Sequence, residues 1–304
     1  MTQTIRIGTR DSKLALWQAN LVKNGIESIG VKTELVPVKS EGDIDLITPL
    51  YAMGVEGIFT KTLDAALLNK RIDIAVHSMK DVPTQLAGGI IQAAVLKRGP
   101  HQDVLVKGIN GGLDQPVIGT GSTRRSAMWL NKNPEYKIEN LRGNVQTRLQ
   151  KLEDSNWMGA IFAKAGLERL GILPSDAVQL DWMLPAPAQG AIMIVCREED
   201  PEILETCFQL NDEMTALCTK IEKDFLKTLM GGCSTPISAY ARPDGDKIRF
   251  DGNILSPDGI SIVEISKSVS SFEAVDLGTK CGEEVLANGG AAIVASIRKA
   301  GKID

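Results

Sequence analysis

Three groups of residues have types and spacings that suit chemistry. Cys233 follows two glycines in Leu229-Met230-Gly231-Gly232-Cys233-Ser234-Thr235-Pro236, where a helical run over 219–230 ends. Glycine readily takes the left-handed backbone that closes a helix, and Gly231-Gly232 leave the thiol little steric cover. A free cysteine is most often a small buried hydrophobe, so this thiol is either core or a group presented to a cleft. The second group is His77-Ser78-Met79-Lys80-Asp81-Val82-Pro83, directly after the apolar strand 71–76. In open α/β sheets ligands sit beyond the carboxyl ends of strands, which places residues 77–81 for chemistry. The plain alternatives are a turn residue for Asp81 and a solvated charge for Lys80. The third group is a set of arginines, Arg10, Arg124, Arg125, Arg142, Arg148 and Arg169, all in polar loops or at helix starts of the first 170 residues.

The elements that must position these groups repeat one unit. Residues 5–9 read as a strand, Arg10-Asp11-Ser12 as a turn with Ser12 as N-cap, and residues from 13 as a helix with Leu14, Trp17 and Leu21 on one face. Gly119-Thr120-Gly121-Ser122-Thr123-Arg124-Arg125 connects a strand to a helix with small residues, a capping hydroxyl and two guanidinium groups. Such a turn forms an anion cradle with its counter-charges, or else a plain cap with surface arginines. Arg142-Gly143-Asn144 and Lys164-Ala165-Gly166 repeat the unit, followed by helices that carry Arg148 and Arg169. A strand over 191–196 after the stiff connector Leu184–Gly190 would return the chain to the first sheet, and residues 40–58, with Gly54-Val55-Glu56-Gly57, read as a flap. A final group of strands (237–241, 247–255, 260–266) and helices (272–287, 291–300) reads as a small α+β unit.

Composition narrows the function. The chain has 304 residues, 43% hydrophobic and 24% charged, as expected of a globular protein with two or three cores. No apolar run approaches the ~20 residues of a membrane span. Residues 1–7 lead straight into a strand, so neither leader nor membrane is expected and a cytoplasmic setting is. Five cysteines without a CxxC spacing and two histidines give no disulfide framework and no zinc pattern, and no metal is expected. A net charge of −4 with 4% aromatic residues argues against nucleic acid. An acidic chain that gathers arginines at element ends is built for a smaller anion.

Taken together, the chain resembles the porphobilinogen deaminases, also called hydroxymethylbilane synthases. The resemblance rests on Thr9-Arg10-Asp11-Ser12-Lys13-Leu14-Ala15-Leu16, residues 75–83, Gly119-Thr120 with Ser122 and Arg124-Arg125, Leu141-Arg142-Gly143-Asn144-Val145 with Thr147-Arg148-Leu149, Ala165-Gly166-Leu167 with Arg169-Leu170-Gly171, Gln189-Gly190-Ala191, and Gly231-Gly232-Cys233 with Pro236. It implies an α/β fold of two doubly wound domains similar to periplasmic binding proteins and a small α+β C-terminal domain. The expected divisions are 1–97 with 191–212 (Asp81 and the flap), 98–190 (the arginine loops) and 213–304 (Cys233). It implies a transferase of tetrapyrrole and haem biosynthesis that joins four porphobilinogens head to tail with loss of ammonia, giving hydroxymethylbilane. The primer is a dipyrromethane cofactor held by a thioether to Cys233. A monomer is implied, with hand-over of product to the enzyme next in the pathway.

The resemblance also implies roles. Asp81 matches the catalytic aspartate, a carboxylate that can steady the cation left when ammonia departs and can shuttle protons. Cys233, Lys80, Asp81, Ser122, Arg124 and Arg125 would hold the cofactor, and Arg10, Ser12, Arg142, Arg148, Arg169 and Gln189 the substrate. Each pyrrole carries an acetate and a propionate, which suits forked guanidinium contacts. Two positions depart from the family pattern. Glu56 stands where many relatives have a flap lysine, with Lys61 the nearest substitute, and Gly121 replaces a common serine. Rival readings are a cytosolic two-lobed sensor for a carboxylate or oxyanion, to which Cys233 would be superfluous, and a phosphoryl-handling enzyme, for which no GxxxxGK[ST] is present.

Overall fold

The computed structural model describes residues 4–39, 60–109, 116–230 and 235–300. Cys233 and the 54–57 flap lie outside the described residues. In chain order the elements are β1 (Ile5–Arg10), α1 (Lys13–Ser28), β2 (Thr33–Val38), α2 (Lys61–Leu68), β3 (Ile74–Ser78), β4 (Ile90–Val95), β5 (Asp103–Lys107), β6 (Val117–Gly119), α3 (Thr123–Lys132), β7 (Lys137–Glu139), α4 (Val145–Glu153), β8 (Gly159–Ala163), α5 (Lys164–Arg169) and β9 (Val178–Gln179). There follow β10 (Ile192–Arg197), α6 (Pro201–Phe208), α7 (Glu213–Thr228), β11 (Ile237–Asp244), β12 (Lys247–Leu255), β13 (Ile262–Ser270), α8 (Leu277–Val285) and α9 (Ala291–Ala300).

Two mixed α/β sheets and one antiparallel sheet result, with strand orders β2-β1-β3-β10-β4, β7-β6-β8-β5-β9 and β11-β12-β13. In the first sheet β1 runs parallel to β2 and β3, whereas β10 lies antiparallel between β3 and β4. The reason is topological. The chain leaves this sheet at the carboxyl end of β4 and comes back at the same edge, so the returning strand must run the other way. β10 is buried along its whole length. Its neighbour β3 alternates between two cores, with Ile74 and Val76 packed under α1 and α6, and Ala75 packed with Leu63 and Leu67 of α2. Burial on both faces explains why these strands read as continuous apolar runs.

The structure corrects the expected face of α1. Gln18, Ala19, Val22 and Ile26 are its buried residues, while Trp17 and Leu21 are exposed. The Leu14–Trp17 side instead faces the second sheet, with Trp17 beneath the Arg169 guanidinium at 5.5 Å and Leu14 opposite Gly166 of α5. The helix expected over 272–287 is also two elements. A 3-10 turn over Ser271–Asp276 precedes α8, and Phe272 is 97% exposed.

The three sheets meet at the crossovers. Arg98 forks onto Glu222 of α7 (Nη1–Oε1 2.6 Å, Nη2–Oε2 3.1 Å) and donates from Nε to the Gln189 carbonyl at 2.9 Å. The fully buried Glu222 also accepts from the Ala188 and Ala241 amides at 2.6 and 2.8 Å. With every lone pair directed at a donor, this is the arrangement that makes a buried charge tolerable.

Candidate active site

Nearly every predicted site residue follows the carboxyl end of a parallel strand. Arg10 ends β1, and Ser12 caps α1, accepting from the Ala15 amide at 3.3 Å. β3 runs into a 3-10 turn, Met79–Asp81, that carries Lys80 and Asp81. Ser122 caps α3 after β6, Arg142 and Arg148 follow β7, and Arg169 follows β8. β1 and β3 are parallel, as are β6, β7 and β8. The parallel ends of each sheet therefore present their turns together, which is the sheet-edge geometry that binds ligands.

Electrostatic neighbours show the two edges facing each other. Burial pushes the Lys80 ammonium down to about 8; Asp81 opposes this, and Arg125 and Arg124 reinforce it from the second sheet. Burial likewise brings Arg148 down to about 10, with Arg125 and Arg142 adding to the shift and Asp81 of the first sheet opposing it. His77, buried in β3, is pushed down to about 4 by burial and by Arg10, against the pull of Asp81. One locus thus holds Asp81, Lys80, Arg10, Arg125, Arg142 and Arg148.

Arg124 and Arg125 are engaged from below. Arg124 Nη2 meets Asp103 Oδ2 at 2.6 Å and Arg125 Nη2 meets Asp103 Oδ1 at 2.7 Å. Arg124 Nη1 donates to the Leu184 carbonyl at 2.6 Å and Arg125 Nη1 to that of Ile161 at 3.1 Å. Gln189 donates from Nε2 to Asp103 Oδ1 at 2.8 Å and to the His101 carbonyl at 2.7 Å. Burial pushes the Asp103 carboxyl up, but the two guanidinium charges and their hydrogen bonds outweigh it and hold it well below the usual carboxylate range. Sequence reading passed over Asp103. The signal available was an aspartate heading an apolar strand, Asp103-Val104-Leu105-Val106, just after a crossover.

Arg148 and Arg169 differ. Arg148 donates from Nε to the Gly143 carbonyl at 2.7 Å, and Arg169 from Nη2 to the Gly190 carbonyl at 2.7 Å. Among the described residues, Arg148 has no ion pair with a carboxylate, nor has Arg169. Burial brings Arg169 down to about 10 as well. Desolvated cations whose hydrogen bonds go to neutral carbonyls favour an arriving anion, so the donor set fits a ligand rich in carboxylates.

The departure at Gly121 has a steric cause. A Cβ there would come within 2.6 Å of the Leu141 carbonyl oxygen, so a serine requires the turn after β7 to move. The other cysteines, Cys196, Cys207, Cys218 and Cys281, are free and buried, with thiols pushed up to about 11 or 12 by burial. Buried thiols of that kind are inert core residues. Among the described residues no group of His, Cys, Asp and Glu could hold a metal ion, and no helix is long and apolar enough to cross a membrane.

Comparisons with known proteins show the family. Residues 5–205 match the family model for the porphobilinogen deaminase dipyromethane cofactor binding domain, and residues 216–287 match that for the porphobilinogen deaminase C-terminal domain. The porphobilinogen deaminase of Trichlorobacter lovleyi is 40% identical over 300 residues, covering 96% of each chain. The chloroplastic porphobilinogen deaminase of Oryza sativa subsp. japonica is 41% identical over 301 residues, 94% of this chain and 84% of that one. Among solved structures, a periplasmic substrate-binding protein of an ABC transporter from Coxiella burnetii is 13% identical, covering 70% of this chain and 94% of that one at a TM-score of 0.43. With its two mixed sheets, its small antiparallel sheet and both family models matched in order, the chain belongs to the porphobilinogen deaminase family.

Proposed function

We propose that this chain carries out porphobilinogen deaminase chemistry with Asp81 as its catalytic residue and Cys233 as the anchor of its dipyrromethane. The observation that carries the reading is the meeting of the Asp81 carboxylate with Lys80, Arg125, Arg142 and Arg148 at the facing edges of two sheets. When bound, the dipyrromethane supplies a nucleophilic pyrrole carbon and its own acetate and propionate groups. The chain's residues do the rest. Arg148, Arg169, Arg10 and Arg142 receive carboxylates of substrate and cofactor, and each charge-assisted contact contributes roughly 1.5–3 kcal/mol while orienting a ring. Lys80, with its ammonium pushed down to about 8, is held more firmly in its charged form when ligand carboxylates add to Asp81 and Asp103.

Asp81 has the distinct task. Loss of ammonia from an aminomethylpyrrole leaves positive charge on the ring, and a carboxylate beside the pyrrole N–H lowers the barrier as that charge develops. The same oxygen atoms can pass a proton to the leaving amine and take one from the attacked ring carbon. Arg124 and Arg125 fit a bracing role, since both are bound to the Asp103 carboxylate, and they act on the ligand through the fixed shape of the α3 N-terminus. Ser12 and Ser122 cap their helices, and Gln189 supports Asp103; each shapes the site at one remove. We assign the residues to three domains, 1–97 with 191–212, 98–190 and 213–304, in a monomeric cytoplasmic enzyme.

The test is intact-protein mass spectrometry joined to turnover. The protein should carry an excess mass equal to two linked pyrroles, and Cys233→Ser should lack it. Asp81→Ala should keep its fold and lose nearly all turnover. An active protein without the excess mass sinks the anchor assignment, and near-normal rates for Asp81→Ala show that Asp81 is merely a turn residue.

A further inference from the structure

The turn that carries Asp81 has an unusual support problem. Its last peptide is followed by Pro83, which has no N–H to donate. The residue before a proline is confined to extended geometry, and Val82 sits there with φ −81° and ψ 134°. Its amide closes the turn onto the Met79 carbonyl at 3.2 Å. Beyond the buried Met79 and Val82 side chains and the Met79 amide bonded to the Ala191 carbonyl at 3.0 Å, the polar group left to hold this end of the turn is the Val82 carbonyl. Lys223 of α7 donates to that oxygen from Nζ at 2.5 Å.

This bond comes from the element that leads toward the third sheet. α7 is fastened to the first sheet along one side. The Asp212 amide donates to the Val95 carbonyl at 2.8 Å, and the Arg98 amide to Thr215 Oγ1 at 3.1 Å. Ala216 packs in the cluster that holds Met79 and Val82, and Glu222 clamps Arg98. Lys223 lies seven residues after Ala216, two turns along the same face. The opposite side of α7, with Ile221 and Phe225, is buried in the core of the third sheet. A half-buried ammonium on a helix fixed at both faces is a rigid donor, unlike a mobile surface lysine.

We infer that Lys223 is a positioning residue for the reaction, holding the Met79–Asp81 turn through the Val82 carbonyl and so setting where the Asp81 carboxylate stands. The inference rests on the assignment of Asp81 as the catalytic residue. Misplacing a reacting group by about 1 Å can cost on the order of 100-fold in rate. Lys223 touches no reacting atom, so the loss falls on turnover more than on substrate affinity.

The experiment compares Lys223→Met, Lys223→Arg and Asp81→Asn, each purified with its cofactor mass checked. Lys223→Met should lower kcat roughly 10-fold or more while KM moves less than about twofold, and Lys223→Arg should restore most of the rate. Amide hydrogen exchange, a readout independent of turnover, should quicken in a peptide covering 79–85 of Lys223→Met and stay unchanged in the β11–β13 peptides. A Lys223→Met enzyme with kcat within twofold of the parent overturns the inference. So does a loss that Lys223→Arg fails to rescue, or exchange that quickens throughout the third sheet, because those results mark a general stability role. Active Asp81→Asn overturns the catalytic assignment instead, which keeps the two failures distinct.

Discussion

Two pairs of arginines occupy equivalent places in this molecule and live in different electrostatic worlds. Arg124 and Arg125 follow β6 and share the single Asp103 carboxylate beneath them. Arg148 and Arg169 follow β7 and β8 and, among the described residues, meet backbone carbonyls without a carboxylate. Arg124 and Arg125 are buried and Arg148 and Arg169 half-buried, so both pairs bear a cost of desolvation, but only the first has part of it offset by a carboxylate in direct contact. The second leaves the offset to a ligand. The first pair belongs to the architecture of the site, then, and the second to its recognition of anions.

The sharpest way to break this comparison is to remove the shared counter-ion. Asp103→Asn leaves two buried guanidinium groups facing an amide, and stranding one partner of a buried pair typically costs about 3–5 kcal/mol. Urea unfolding should show a loss of that order, and a loss below about 1 kcal/mol would mean the pair is not what holds β5 to α3. The pH dependence follows from the sign of the shift. The Asp103 carboxyl is held below its unfolded value of about 3.9, so its contribution is fully present above about pH 4 and is lost as pH falls further, toward the folded value. The stability gap between parent and Asp103→Asn should therefore be constant between about pH 5 and 6, below the range in which Lys80 titrates.

Arg148→Leu tests the other side. It removes a desolvated charge with no ion-pair partner among the described residues, so stability should change by less than about 1 kcal/mol or rise. Binding should suffer instead, with kcat/KM lower by roughly 10- to 100-fold, the equivalent of one charge-assisted contact of about 1.5–3 kcal/mol. If Arg148→Leu unfolds the protein while turnover per folded molecule is unchanged, the two pairs are alike and the distinction fails.

How far these assignments were legible in the sequence depends on the range of the interaction. Strand, turn and capped helix were readable at β1, β6 and β7, because Ser12, Ser122 and Asn144 act on amides three residues away. The return of β10 to the first sheet was readable from an apolar run after a stiff connector. The division among the arginines was not, since Asp103 lies 21 residues before Arg124 in sequence and the Gln189 that supports it lies 86 residues beyond Asp103. The α1 face misled for a related reason. Leu14 and Trp17 have helical spacing but serve the neighbouring sheet, and periodicity does not say which surface an apolar stripe meets. Lys223 carried no signal at all, because a lysine on a charged helix is ordinarily a solvated one.

Lys80 provides the finest gauge of whether the locus awaits anions. Its folded value of about 8 lies below the unfolded value of about 10.4, so the unfolded chain binds the extra proton between those two pH values. Without ligand carboxylates Lys80 therefore costs stability at pH 7, and that cost is relieved as pH rises from about 8 to 10.4. Carboxylates of a bound dipyrromethane would oppose the shift by adding negative charge to that of Asp81 and Asp103. Nuclear magnetic resonance titration of labelled lysines, assigned with Lys80→Met, should find Lys80 near 8 in Cys233→Ser and higher by at least about one pH unit in the loaded enzyme. One unit corresponds to about 1.4 kcal/mol of added interaction with the charged form. A value that stays near 8 after loading would place Lys80 with Arg124 and Arg125, as part of the frame, because a lysine that received ligand carboxylates could not keep so depressed a titration beside them.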